Sequence, residues 1–150
     1  MEKREPSKAP GTYAEIKLGD YYERSVEITG ELIKSFAELT GDFNPIHLDP
    51  DYAAKSFFKK RIAHGLLPVS FIGAIFGTAL PGPGSIYLNQ SVVFTAPVFL
   101  GDTITVRAEV VGLDHHYPKV TLKTTIKNQL GKTVVDGSGE ILFEPMKPDK

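Results

Sequence analysis

The chain has 150 residues, of which 41% are hydrophobic and 23% are charged, a balance typical of one globular domain. Lys and Arg (17) nearly equal Asp and Glu (18), so the net charge of −1 provides no global attraction to nucleic acid or to an anionic membrane. Cysteine is absent, which excludes disulfides and thiolate chemistry and fits a cytoplasmic location.

The N-terminal part of the chain predicts a tail, a strand and a helix. Residues 1–11 are polar, contain proline and lack an apolar stretch, so we expect a flexible tail and no signal peptide. Near-alternation of aromatic, β-branched and charged residues predicts a strand at 22–28. Thr29 then offers an N-cap, and apolar residues at helical spacing predict an amphipathic helix that Gly41 ends.

The following segment, 41–50, is too rich in Gly, Asp, Asn and Pro to extend that helix, and it predicts an ordered loop. Asp49 and Pro50 are typical of the N-cap and first residue of a helix, which we expect to reach about Phe58.

Residues 62–80 are almost wholly apolar and include a G-x-x-x-G pair, so both a membrane span and a buried helix are considered. His64 and Pro68 near the start, and an immediate Pro-Gly stop at 81–84, disfavour a span. The segment is therefore expected to be a helix buried inside a soluble domain.

From residue 85 onward, the apolar period changes from about 3.6 to about 2, which predicts strands in an antiparallel meander. We expect strands at 85–94, 103–110, 120–126 and 134–143, with turns at 114–118 and 128–132. Because a one-sided sheet and an all-apolar helix can bury each other, the sheet should wrap around the helix. The predicted fold class is α+β, a single hot-dog domain over 12–145 with a five-stranded sheet, followed by a tail at 146–150.

Asp42 and His47 are candidate catalytic residues because they lie five apart in a loop that Asn44 and Pro45 would stiffen. A carboxylate and an imidazole in this arrangement can converge on one water molecule and act as a general acid and base. Partial burial of the carboxyl group would favour its protonated form. The alternative is structural: Asp42 caps a turn and His47 makes an ordinary hydrogen bond.

His64 and Gly65 open the buried helix, whose free N–H groups can stabilise negative charge on a carbonyl oxygen. Polarising a thioester carbonyl makes its β-carbon electrophilic, so these parts suit hydration of an α,β-unsaturated thioester without a metal. His64 itself is expected to hydrogen-bond a loop carbonyl, with proton transfer as the alternative.

Four segments together carry a family signature: T-G-D-F-N-P-I-H at 40–47, A-H-G-L at 63–66, G-S-I-Y-L-N-Q-S at 84–91 and F-L-G-D at 99–102. They resemble the MaoC-like (R)-specific enoyl-CoA hydratases of the hot-dog fold. The resemblance implies syn hydration of a trans-2-enoyl-CoA to an (R)-3-hydroxyacyl-CoA, or the reverse dehydration, in fatty acid and acyl-CoA metabolism.

The same resemblance implies roles for individual residues. Asp42 and His47 hold the water between them, one activating it and the other protonating the α-carbon. The Gly65 N–H serves as the oxyanion donor. The residues expected to contact the substrate or orient its loop are Asn44, His64, Leu66 and Ser70. Some relatives carry serine at the position of Gly73, so serine is left out of the catalytic set.

No metal and no cofactor are predicted. His115 and His116 lie in a predicted turn, and with His47 and His64 they show no recognised ligand spacing. The basic cluster at 59–61 is either a contact for CoA phosphates or a solvated surface patch.

The expected partner is an acyl-CoA or acyl-carrier-protein thioester, with no nucleic acid and no membrane. An open sheet edge predicts a homodimer or a dimer of dimers. Three alternatives stay open: an acyl-carrier-protein dehydratase, a hot-dog thioesterase, and a non-catalytic acyl-thioester-binding accessory subunit.

Overall fold

The main element of the fold is one antiparallel sheet of five strands, and its strands lie close to the predicted positions. In the computed structural model, which describes residues 6–144, the strands are β1 (Tyr21–Glu27), β2 (Ser85–Phe94), β3 (Thr103–Leu113), β4 (Lys119–Lys127) and β5 (Thr133–Phe143). The first strand lies one residue earlier than expected, and β2 has the expected bounds. The predicted turns at 114–118 and 128–132 join β3 to β4 and β4 to β5.

The order of strands in the sheet is β1-β3-β4-β5-β2. Only β3, β4 and β5 form a meander, so the expected meander of all four C-terminal strands is wrong for β2. That strand pairs with β5, from Ser85 opposite Phe143 to Phe94 opposite Val135. Alternation of apolar residues specifies which face of a strand is buried but not which strand lies beside it. The two edges of the sheet are β1 and β2.

Within the described residues, four helices accompany the sheet: α1 (Gly30–Thr40), α2 (Pro45–Leu48), α3 (Pro50–Lys55) and α4 (Leu66–Thr78). A short 3-10 turn, Tyr13–Glu15, precedes β1. The α4 helix is the expected central helix, and the inner face of the sheet wraps around it. Ile72, Ile75 and Phe76 are almost completely buried between them. Burial of each such side chain contributes roughly 1.5–3 kcal/mol.

The α4 helix is shorter than the apolar segment that predicted it. Residues 62–65 precede the helix in an irregular segment, and Ile62 forms an isolated bridge with Phe99. Within residues 6–144, no helix has the length and apolar character that a bilayer crossing requires.

The helix ends near the candidate site follow their predicted capping residues. Thr29 Oγ1 accepts a hydrogen bond from Leu32 N at 3.2 Å, and Gly41 ends α1 in the left-handed conformation at φ 77°. Asp49 Oδ1 accepts from the first N–H groups of α3. That helix ends at Lys55, before the expected Phe58, where the chain turns at Ser56.

Part of the predicted N-terminal tail is attached to the sheet edge. Ser7 N donates to Tyr21 O at 2.8 Å, and Tyr21 N donates to Ser7 Oγ at 3.1 Å. The remaining tail positions, 1–5 and 146–150, lie outside the described residues.

Candidate active site

A short helix that the sequence did not predict organises the loop after α1. Asn44 Oδ1 accepts a hydrogen bond from Ile46 N at 3.2 Å and caps α2, and Pro45 occupies its first position. Asp42 Oδ1 in turn accepts from Asn44 N at 3.2 Å. This capping turns His47 into the protein, where it is 7% exposed. The D-x-N-P-x-H pattern therefore folds as a capped turn of helix.

The two candidate catalytic residues lie together, and His64 joins them. One polar side-chain atom from each of Asp42, His47 and His64, a carboxylate oxygen or a ring nitrogen, lies within 4.8 Å of the other two. His47 and His64 are buried, whereas Asp42 is exposed. The fold thus brings together one solvent-facing carboxylate and two imidazoles. Asp42 and His64, the most widely separated of the three residues, are 22 positions apart in the chain.

Hydrogen bonding fixes the tautomer of His47. Its Nδ1 lies 2.8 Å from the carbonyl oxygen of Ile62, which can only accept, so Nδ1 carries the proton and Nε2 keeps a lone pair. Burial lowers the pKa of His47 below 6.5. The hydrogen bond to Ile62 and the charge of Asp42 oppose this shift, while His64 adds to it. His47 is therefore a neutral base near pH 7.

His64 donates the predicted hydrogen bond to a loop carbonyl. Its Nε2 lies 2.9 Å from the backbone oxygen of Asp42. The ring stands between His47, at a centroid distance of 3.9 Å, and Phe36, at 5.0 Å. Its Nδ1 is buried without a hydrogen-bond partner in the described part of the chain. His64 connects the backbone of one catalytic candidate to the ring of the other.

The burial expected for the Asp42 carboxyl group is wrong. Asp42 is exposed, and the neighbouring Phe43 is itself 59% exposed. Desolvation acts on His47 instead, because α2 directs the imidazole inwards while the turn leaves the carboxylate at the surface.

The start of α4 borders an apolar cavity of about 380 Å³ that is also lined by His47 and His64. Gly65 precedes the helix in a right-handed helical conformation, and its N–H has no acceptor within residues 6–144. A Cβ at this position would lie 3.1 Å from Phe94 Cε1. The lining from the end of β2 onwards, Phe94, Thr95, Ala96, Pro97 and Val98, was not identified from the sequence as part of the site. No local sequence pattern identifies these residues as part of the site, because they reach the cavity only through the pairing of β2 with β5.

Leu66 and Ser70 line a different cavity, of about 410 Å³, between α4 and β2. The Ser70 hydroxyl donates to Leu67 O at 2.6 Å within its own helix. Tyr87 forms part of the opposite wall; its hydroxyl donates to Gln90 Oε1 at 2.6 Å, and burial raises its pKa to about 12. Of the expected substrate contacts, the structure therefore places His64 at the first cavity and Leu66 and Ser70 at the second, whereas Asn44 lines neither.

Two imidazoles and a carboxylate are donor types that Zn²⁺ takes in proteins. The spacing of the histidines along the sequence did not suggest such a group, since the three residues meet only through tertiary structure. In the other histidine pair, His116 N donates to Asp114 Oδ1 in a surface turn.

Comparison with known proteins places the chain in a family. Residues 14–133 match the family model described as MaoC like domain. An (R)-specific enoyl-CoA hydratase of Rhodospirillum rubrum is 44% identical over 130 residues, 87% of this chain and 90% of that protein. A 3-hydroxybutyryl-CoA dehydratase of Methylorubrum extorquens is 49% identical over 123 residues, 82% of this chain and 77% of that protein. The unliganded R-hydratase PhaJ1 of Pseudomonas aeruginosa superposes with a TM-score of 0.86 at 44% identity, covering 93% of this chain and 88% of that one. The chain therefore belongs to the MaoC-like family and has its hot-dog fold.

Proposed function

We propose that this protein is a hydro-lyase that adds water to a trans-2-enoyl-CoA and forms an (R)-3-hydroxyacyl-CoA, or catalyses the reverse dehydration. The observation that supports this most directly is the convergence of Asp42 and His47 beside the start of α4. The names of the two similar proteins, a hydratase and a dehydratase of CoA thioesters, agree with both directions of one reaction.

The proposed reaction begins with one water molecule held between Asp42 and His47. The neutral His47 Nε2 accepts a proton from this water while the hydroxyl oxygen bonds to the β-carbon of the enoyl group. The carboxylate of Asp42 orients the water and stabilises the imidazolium. The His47 imidazolium then delivers this proton from Nε2 to the α-carbon, while the Asp42 carboxylate stays unprotonated, so both groups end the cycle as they began.

The electrons of the carbon–carbon double bond pass to the thioester carbonyl during this addition, and an enolate oxygen develops negative charge. Gly65 N–H is the proposed donor to that oxygen, since Gly65 stands at the N-terminal end of α4 and lines the same cavity as His47. Hydrogen bonds preorganised towards developing charge often supply the largest single contribution to catalysis.

The dimer is part of the proposal because the two edges of the sheet differ. The β1 edge is short and carries exposed charged residues, whereas β2 is ten residues long and exposes Ile86, Tyr87, Leu88, Val93 and Phe94. A long apolar edge is normally covered. Pairing of β2 with β2 of a second copy would give one continuous sheet and would bring a partner beside both cavities. A cytoplasmic location is proposed as well.

The direct test is an assay of crotonyl-CoA with the purified protein, following loss of the ultraviolet absorbance of the enoyl thioester. We expect rapid loss without release of free thiol, and an (R)-configured product by chiral analysis. Release of thiol would instead indicate a thioesterase, and binding without turnover would indicate an accessory subunit. Crotonyl-acyl-carrier-protein assayed in parallel distinguishes a CoA enzyme from an acyl-carrier-protein dehydratase.

Asp42→Asn and His47→Gln are the matching variants, since each is close in size to the residue that it replaces. Loss of a general acid or base lowers the rate by about 100-fold or more, so each variant should fall at least that far below the wild type. Unchanged circular dichroism would show that the fold is retained. Full activity in either variant would contradict the proposed acid–base pair.

A further inference from the structure

We propose that Arg61 is a positioning residue that holds the catalytic candidate His47 in place. This inference rests on the proposed hydratase function. Arg61 Nε donates a hydrogen bond to the backbone oxygen of His47 at 2.7 Å, although the two residues are 14 apart in the chain. From the sequence, Arg61 was only one member of a basic cluster.

The carbonyl of His47 needs such a partner because α2 is only four residues long. The last carbonyl groups of a helix have no N–H donor within the helix and need a hydrogen-bond donor from elsewhere. The charged guanidinium group of Arg61 meets this need with a short, charge-assisted hydrogen bond. The contact is partly buried, so it is shielded from solvent ions.

The neighbouring residue, Ile62, holds the other end of the same histidine. Its carbonyl accepts from His47 Nδ1 at 2.8 Å, and its N–H donates to Ile46 O at 3.4 Å. Arg61 therefore fixes the backbone of His47, while Ile62 fixes the imidazole ring. Without the bond from Arg61, the backbone of α2 is less constrained relative to Ile62, so we expect Nε2 of His47 to deviate from the position in which it would accept a proton from the proposed water.

The rest of the basic cluster makes different contacts. The Lys60 ammonium lies 5.7 Å from the centroid of the Phe99 ring, and Lys59 occupies a turn with φ 64°. In the described contacts, Arg61 is the member of the cluster that reaches the catalytic loop. Lys60→Ala is therefore a matched control that removes a neighbouring positive charge and leaves the bond to His47 intact.

The test compares wild type, Arg61→Ala and Lys60→Ala with two substrates, crotonyl-CoA and the N-acetylcysteamine thioester of crotonate, which has no phosphate. A positioning role predicts that Arg61→Ala lowers kcat by roughly tenfold to a hundredfold, by the same factor for both substrates, because small misplacements of catalytic groups have large effects. The kcat of Lys60→Ala should stay within about twofold of the wild-type value for both substrates. Added guanidinium ion should restore part of kcat in Arg61→Ala.

A second readout does not depend on turnover. The nitrogen NMR shifts of His47 should report the Nδ1–H tautomer in wild type and Lys60→Ala, and averaging between tautomers in Arg61→Ala. A raised KM for crotonyl-CoA alone, with kcat and the tautomer unchanged, would overturn the proposal and identify Arg61 as a phosphate contact. Absence of hydration by the wild type would refute the proposed function, while the tautomer comparison would still test Arg61.

Discussion

The imidazole rings of His47 and His64 lie against each other, with centroids 3.9 Å apart and planes inclined by 33°. Each ring donates a hydrogen bond from one nitrogen to a backbone carbonyl, His47 to Ile62 and His64 to Asp42. Two imidazolium ions at this separation would repel each other in a partly buried setting. Burial and the neighbouring ring therefore favour the neutral state of His47, in which His47 can accept a proton from water.

This pairing predicts a specific pH dependence. Because burial first, and then His64, lower the pKa of His47, kcat/KM should be constant near pH 7 and fall only below the ordinary pKa of 6.5, as His47 becomes protonated. Replacing His64 with Gln removes the neighbouring imidazole and should raise the pKa of His47. The acidic fall of kcat/KM then begins at a higher pH than in wild type, as measured in full pH profiles. An unchanged profile in His64→Gln would contradict electrostatic coupling of the two rings.

Gly65→Ala tests the approach to the proposed oxyanion donor. The added methyl group would lie 3.1 Å from Phe94 Cε1 and would narrow the cavity beside the Gly65 N–H. We expect a loss of about 1 kcal/mol in the free energy of unfolding from overpacking, measured by denaturant titration, and at least about tenfold lower kcat/KM. Adding Phe94→Leu relieves the contact and should restore stability. If the double variant also regained full activity, the close approach of substrate to Gly65 would not be needed.

The apolar β2 edge predicts the oligomeric state. Light scattering after size-exclusion chromatography should give twice the chain mass for the wild type at micromolar concentration. Val93→Lys places a charge on β2 where the side chain is 63% exposed, and it should shift the equilibrium towards monomer. Val111→Lys, at a position that is 50% exposed on β3, is the control and should remain dimeric. A monomeric wild type, or dissociation by both variants alike, would argue against pairing through β2.

The cluster of Asp42, His47 and His64 makes metal dependence worth testing directly. The proposed chemistry uses His47 as the base and Gly65 N–H as the oxyanion donor, so prolonged dialysis against a chelator should leave kcat within about twofold of the untreated enzyme. Metal content should be checked by mass spectrometry before and after dialysis. A loss of activity that Zn²⁺ restores would reassign the three residues as metal ligands.

Short-range features of this chain were predictable because each depends on a few neighbouring residues. Thr29 and Asp49 cap helices at their expected positions, since a side-chain oxygen satisfies N–H groups only two or three residues away. The strands were recognisable because alternate side chains must face one core. Asp42 and His47 could be paired in advance because only a short capped turn separates them.

Other features required the assembled tertiary structure. The position of β2 beside β5, the contact of His64 with Asp42 and the contact from Arg61 to His47 all depend on segments that are distant in the chain. Hydrophobic periodicity specifies which side of an element is buried, but it carries no information about the partner that covers it. For this reason local patterns identified a carboxylate and an imidazole as candidate catalytic groups. The burial and tautomer of His47, and the neighbours of both groups, depend on tertiary packing of residues 61–64 and of the end of β2 around them.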